Sequence, residues 1–179
     1  MTYAQLEPII REKYWEMPLR VWHGQTHLDR MLRELASLNF SDRDRLLLKY
    51  FCLFHDAVYI PGSTTNEQQS VLVFFEAETS DLTNDDKALV AKLILQTKNH
   101  VFSSFDPLAE AAHGLDLSVL FDPFPANLLW EEGISQEFSW LGIDKYKSGR
   151  LKFLRSVYDK NPDGIGKLID YVKQTRRNQ

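Results

Sequence analysis

The chain contains only five histidines, and two of them, His23 and His27, lie four residues apart. On a helix that spacing puts both imidazoles on one face, where a pair of them can share a metal ion. A third histidine forms the dipeptide His55-Asp56, which follows the apolar run Tyr50-Phe51-Cys52-Leu53-Phe54. An ionised carboxylate beside such a run is costly to desolvate unless a cation or firm hydrogen-bond donors face it. His100 completes the stripe Leu89, Leu93, Thr97, His100, whose offsets of 4, 8 and 11 residues return to one helical face, so it is expected to point inward. Asp116 stands between Leu115 and Leu117. Imidazole nitrogens combined with carboxylate oxygens suit manganese, iron, zinc or nickel better than soft thiolate chemistry does. Taken singly, each residue also has an ordinary explanation: a core histidine bonded to a carbonyl, a histidine favoured at a helix C-terminus, an aspartate capping a turn. Four of the five histidines and two carboxylates fall on inward stripes or in apolar surroundings, and this makes one common pocket the better reading.

Rigid elements must bring these residues together, and the hydrophobic spacing is helical nearly throughout, with no clean alternating strand. Thr2 with Gln5, Ser41 with Asp44, and Thr83 with Asp86 carry the capping-box spacing that satisfies free N–H groups at a helix start. The expected helices run from Thr2 to about Tyr14, from near His23 to near Ser37, and from Ser41 to near Val58, with Pro61-Gly62 closing the third. Others are expected over about 66–79, 85–99, 126–140, 144–160 and 163–176, with short irregular pieces between them. The run Val71-Leu72-Val73-Phe74-Phe75 has strand-like composition, yet no partner strand or hairpin signal lies nearby, so helix is expected there too. No repeat or interdomain linker is visible, and the tail from Arg176 to Gln179 is expected to fray. The reading is one all-α domain spanning 1–179.

With 21 basic and 25 acidic residues, a net charge of −4, 44% apolar residues and 26% charged, the composition fits a soluble globular protein and disfavours bulk nucleic-acid binding. The nearest thing to a basic stripe, Lys145, Lys147, Arg150, Lys152 and Arg155, reads better as a solvated helix face. A chain of this size buries roughly 70% of the surface its unfolded form exposes, so a bound metal would serve chemistry and not folding. Cys52 is the single cysteine and is expected as a buried thiol. No segment approaches the ~20 apolar residues of a membrane span, and Met1 to Glu7 lacks a basic stretch followed by an apolar one. A cytoplasmic protein without a membrane partner is expected.

The runs Trp22-His23-Gly24-Gln25-Thr26-His27, Phe54-His55-Asp56-Ala57-Val58-Tyr59 and Asn66-Glu67 resemble, in that order, the HD superfamily of metal-dependent phosphohydrolases, whose ordered pattern is His, His-Asp, Asp. The chain is similar to a bacterial branch of predicted HD phosphohydrolases that carries Arg-x-Tyr-His-Asn-x-x-His, an Ala-Val-Tyr after the HD, and Asn-Glu-x-x-Ser. The matching residues are Arg20-Val21-Trp22-His23-Gly24-Gln25-Thr26-His27 and Asn66-Glu67-Gln68-Gln69-Ser70. Thr97-Lys98-Asn99-His100, Leu115-Asp116-Leu117, Glu137-Phe138 and Gly149-Arg150 extend the resemblance from Leu19 to about Tyr158. Departures occur at Gly24, Gly114 and Ser135, where the pattern often has Asn, an acidic residue and Arg.

The resemblance implies a single-domain HD-type helical bundle in which His27, His55, Asp56 and Asp116 hold one or two divalent ions, drawn from Mn, Fe, Mg, Zn, Co and Ni. It implies hydrolysis of a phosphomonoester or nucleotide by metal-activated water. In that setting Asp56 could bridge two ions. Glu67 would orient or deprotonate the water, or else complement the dipole of the helix that Asn66 caps. His100 would protonate the leaving oxygen, join a second ion, or simply sit buried against a carbonyl. His23 would be a ligand, a ligand's partner or a substrate contact. Arg20 and Arg150 would grip phosphate through bidentate hydrogen bonds, or form surface salt bridges. Trp22, Tyr59 and Phe102 could stack a base or pack in the core. The implied partner is a small phosphorylated substrate, with mononucleotides as one class. The changes at Gly24, Gly114 and Ser135 keep a second reading open, a non-catalytic metal-containing ligand-binding or scaffold module of the same fold.

Overall fold

The structure, a computed structural model, describes residues 1–100 and 106–175, and among them every regular element is helical. In chain order these are α1 (Tyr3–Ile10), α2 (Gln25–Ser37), α3 (Asp42–Phe54), α4 (Asn66–Glu76), α5 (Asn84–Gln96), α6 (Pro107–Asp116), α7 (Phe124–Glu137), α8 (Ile143–Ser156) and α9 (Pro162–Gln174). The all-α class read from the periodicity is therefore correct. The chain divides into two compact units, Met1–Asp116 and Leu117–Gln179. No helix among the described residues is long and apolar enough to cross a membrane. Phe102 and the tail from Arg176 lie outside the described residues.

The first unit is organised around α3, which packs against α1, α2, α4, α5 and α6. Its sequence dictates that place, because Leu47, Leu48, Tyr50, Phe51, Cys52, Leu53 and Phe54 are all buried, leaving the last turn no polar face. A helix apolar on every side is stable only when other elements surround it. Leu28, Met31 and Leu35 of α2, Phe74 of α4, Leu93 and Ile94 of α5, and Ala109 and Ala112 of α6 complete the core. The run from Val71 to Phe75 is helical, within α4. In the second unit α9 packs on both α7 and α8 through Ile165, Leu168 and Val172, with Trp130, Ile134, Tyr146 and Leu154 buried.

Local signals set most helix starts. Thr2 and Thr83 form capping boxes with Gln5 and Asp86, and the Ser41 hydroxyl accepts from the Asp44 N–H. The start of α1 has a second clamp, since Asp81 Oδ2 accepts from Tyr3 N–H at 2.9 Å while Oδ1 accepts from the buried Tyr50 hydroxyl. Pro8 lies inside α1, and the helix widens into a π-turn over Arg11–Trp15, where the Glu16 N–H bonds to the Arg11 carbonyl. Several expectations need correction. The second helix begins after Gly24, so His23 lies outside it and the shared helical face expected of His23 and His27 does not exist. The third ends at Phe54 with His55 as its cap, before Pro61-Gly62, and Gly62 serves a later turn at φ 85°. A helix was also missed: α6 occupies a stretch expected to be irregular. Its signal was present, for Asp106 Oδ1 accepts from the N–H groups of Leu108 and Ala109 and Pro107 takes the first helical position.

Candidate metal centre

Three helix ends supply the centre. His27 sits in the first turn of α2, His55 caps the C-terminus of α3, and Asp116 is the last residue of α6. Their ligand atoms all lie within 4.8 Å of one another, and no other group of this kind occurs among the described residues. His27 Nε2 is 3.4 Å from Asp116 Oδ1, and His55 Nε2 is 3.6 Å from the same oxygen. Asp56 stands beside the group, its Oδ2 3.4 Å from His55 Nε2. His100 approaches from the other side, with Nδ1 3.6 Å from Asp116 Oδ2. His27 and His55 are 2% and 1% exposed, so bulk water screens neither.

The environment orients the ligand atoms. His55 Nδ1 lies 3.0 Å from the Cys52 carbonyl, which can only accept, so Nδ1 carries the proton. That leaves Nε2 to face Asp56 and Asp116, where it is buried and makes no hydrogen bond. An imidazole fixed through one nitrogen with the other aimed at carboxylates is the usual setting of a metal-bound histidine. Burial lowers the pKa of His27, against the pull of Asp116, and keeps it neutral and able to ligate. Burial also opposes a charge on His55, but Asp56 and then Asp116 outweigh it and raise its pKa to about 9. Burial pushes both aspartates upward, yet His55 holds Asp56 well below the carboxylate range, and His27, with His55 and His100, brings Asp116 to about 2. A carboxylate on the last residue of a helix also meets the negative end of the dipole. Two buried anions are thus kept ionised beside a neutral imidazole, His27, and a second, His55, whose proton a binding cation displaces.

Supporting contacts come from Arg20 and Asn66, whose roles differ from those expected, and from Trp15 and Ser70. Arg20 donates to the carbonyls of Asp56 at 2.6 Å, Ala57 at 2.8 Å and His23 at 3.3 Å, so its guanidinium holds the turn that follows His55. Trp15 Nε1 donates to the Leu53 carbonyl at 2.9 Å and its ring lies 5.6 Å from that of His55. Asn66 does not cap α4; its amide accepts from Ile60 N–H and donates to Ile60 C=O, at 3.1 and 3.0 Å. Ser70, one turn later, accepts from Val58 N–H at 3.0 Å. The Asn-Glu-x-x-Ser run therefore reads physically as two backbone clamps on the loop after the HD. Glu67, between them, has a buried Oε2 without a hydrogen-bond partner.

His23 stacks on Tyr59 at 4.0 Å and lies 6.1 Å from the His27 ring, beside the centre and outside the ligand group. The Trp22 ring is 5.7 Å from that of His27. Arg150 belongs to the second unit, where Nε donates at 2.6 Å to Glu131, a residue 1% exposed that also accepts from Tyr146, and the guanidinium covers Trp130 at 4.2 Å. Gly24 has a steric reason: a Cβ there would lie 2.7 Å from the Arg20 carbonyl, so an Asn cannot occupy this backbone unless Arg20 moves. Gly114 has open space at its Cβ position. Sequence reasoning missed His113, which lies one turn before Asp116 on α6 and stacks on His100 at 5.8 Å. His100 itself ends its 3₁₀ turn in the left-handed region at φ 48°, a costly conformation for a residue with a Cβ. Compared with family models, curated proteins and solved structures, the chain matches none.

Proposed function

We propose that this protein is a metal-dependent phosphohydrolase whose substrate is a phosphomonoester. The observation that carries the reading is the buried His27, His55 and Asp116 group, in which His55 Nε2 faces two carboxylates and makes no hydrogen bond. A nitrogen and oxygen donor set of this kind fits a divalent cation of the manganese, iron or zinc type. His27, His55 and Asp116 would hold it, with Asp56 beside them. The chain order of these residues is the one that resembles the HD superfamily.

When bound, such a cation lowers the pKa of water and polarises a phosphoryl oxygen. The reaction forms one bond from a water oxygen to phosphorus and breaks the bond from phosphorus to the alcohol oxygen. One water proton goes to a base and the alcohol oxygen receives a proton. Glu67 is the proposed base, supported by its unpartnered buried oxygen, and His100 the proposed proton donor, supported by its approach to Asp116. Arg20 acts by holding the Asp56 backbone.

Metal analysis of protein purified without chelator, followed by a panel of phosphomonoesters with added manganese, tests the reading. Near-stoichiometric metal and turnover that chelator abolishes are expected. Stoichiometric metal without turnover of any ester would leave a non-catalytic metal module as the answer. Absence of bound metal under all conditions would remove the basis of the proposal.

A further inference from the structure

A cleft of about 440 Å³ lies in the first unit between the π-turn with the irregular segment before α2 on one side and the segment that follows His55-Asp56 on the other. Its walls are apolar or aromatic, from Tyr14, Leu19, Tyr59 and Ile60, and its charged lining residues are Lys13 and Arg20, with no carboxylate among them. Leu19 is 85% exposed and Ile60 60%. Leucine and isoleucine left this open on facing loops mark a surface that gains by being covered. Two lining residues also belong to the metal centre's surroundings. Arg20 donates to the Asp56 and Ala57 carbonyls, and Tyr59 stacks on His23, whose ring is next to His27.

We infer that this cleft receives the leaving group of the substrate, and that the leaving group is aryl or similarly apolar, in contrast to a polyol. The inference rests on the phosphohydrolase reading and adds the substrate class to it. Charge decides the polarity of the occupant: an apolar body is matched by the walls, and an anionic phosphate by Lys13 and the nearby centre. Shared neighbours decide its orientation, since Arg20 and Tyr59 line the cleft and also contact the HD turn and His23. The phosphate end lies toward Arg20 and the HD turn, and the apolar end toward Leu19 and Ile60.

Naphthyl phosphate, glycerol phosphate and inorganic phosphate serve as probes, each titrated calorimetrically into the metal-loaded protein and, for the esters, assayed for hydrolysis. Naphthyl phosphate is expected to bind about tenfold more tightly than the other two, from apolar surface removed from water. Leu19→Asp and Ile60→Asp place a carboxylate in the cleft at exposed positions where folding is unaffected, which circular dichroism checks. Both variants are expected to lose the preference for naphthyl phosphate and raise its KM about tenfold, with affinity for inorganic phosphate unchanged. A preference that survives in both variants, or no preference in the parent protein, would overturn the inference. If no ester is hydrolysed but the preference exists and both variants abolish it, the cleft stands as an aryl phosphate site while the catalytic reading fails.

Discussion

At the residue scale, Asp116 and Arg20 separate ligation from support. Asp116 presents Oδ1 to His27 and His55 and Oδ2 to His100, so Asp116→Asn keeps its shape but removes the charge that all three imidazoles face. Metal affinity should fall by more than about 100-fold, beyond the loss expected from a supporting residue alone, with helical circular dichroism retained. Unchanged metal content by elemental analysis would show that Asp116 is not a ligand. Arg20 touches carbonyls. Arg20→Ala should therefore weaken metal binding by about tenfold through a loosened His55-Asp56 turn, visible in a metal titration before any substrate is present. An effect on KM alone, with the metal isotherm unchanged, would instead return Arg20 to direct phosphate recognition.

At the element scale, the helix ends show what local chemistry controls. Thr2, Ser41 and Thr83 were legible as starts because a capping side chain and its partner lie three residues apart in sequence. Asp81 was not legible, since it clamps the start of α1 from 78 residues away and holds the Tyr50 hydroxyl as well. Asp81→Ala should cost about 2 kcal/mol, the sum of a lost cap and a buried hydroxyl left without its acceptor, read as a lower denaturation midpoint with unchanged denaturant dependence. A shift below a few tenths would mean that the capping box at Thr2 suffices. Asn66 illustrates the same limit: in sequence it looks like a cap, and only the fold reveals that its amide is paired with the backbone of Ile60.

At the scale of the whole molecule, burial of tyrosine predicts a response to alkali. Tyr3 and Tyr50 in the first unit and Tyr146 in the second have hydroxyls whose pKa values burial raises well above the ordinary value, with Glu7, Asp81 and Glu131 respectively adding to the shift. A folded-state pKa above the unfolded one contributes stability that is complete below about pH 10 and is lost as pH rises further, because only the unfolded chain releases those protons readily. Urea midpoints should decline from about pH 6.5 to 9, where the raised pKa of His55 loses its contribution, and then fall steeply between about pH 10 and 11 as the tyrosines take effect. A profile without the steep fall would mean that these hydroxyls reach water in the folded state.

What the sequence determined by itself was the helical class and the starts at Thr2, Ser41 and Thr83, and it offered His27, His55 and Asp116 as candidate donors, because periodicity and capping act over three or four positions and donor chemistry belongs to side-chain type. His55 was legible as inward because the run before it is apolar, and α3 is buried on every side at that end. The tertiary structure alone decided that Asp116 reaches His27 and His55, since α6 must pack on α2 and α3 to carry it there. It also decided that Arg20 grips carbonyls, that His23 stacks on Tyr59 outside the ligand group, and that Arg150 pairs with Glu131. Backbone carbonyls leave no mark in a sequence and long-range partners are fixed by packing, so these contacts become readable only when the helices are in place.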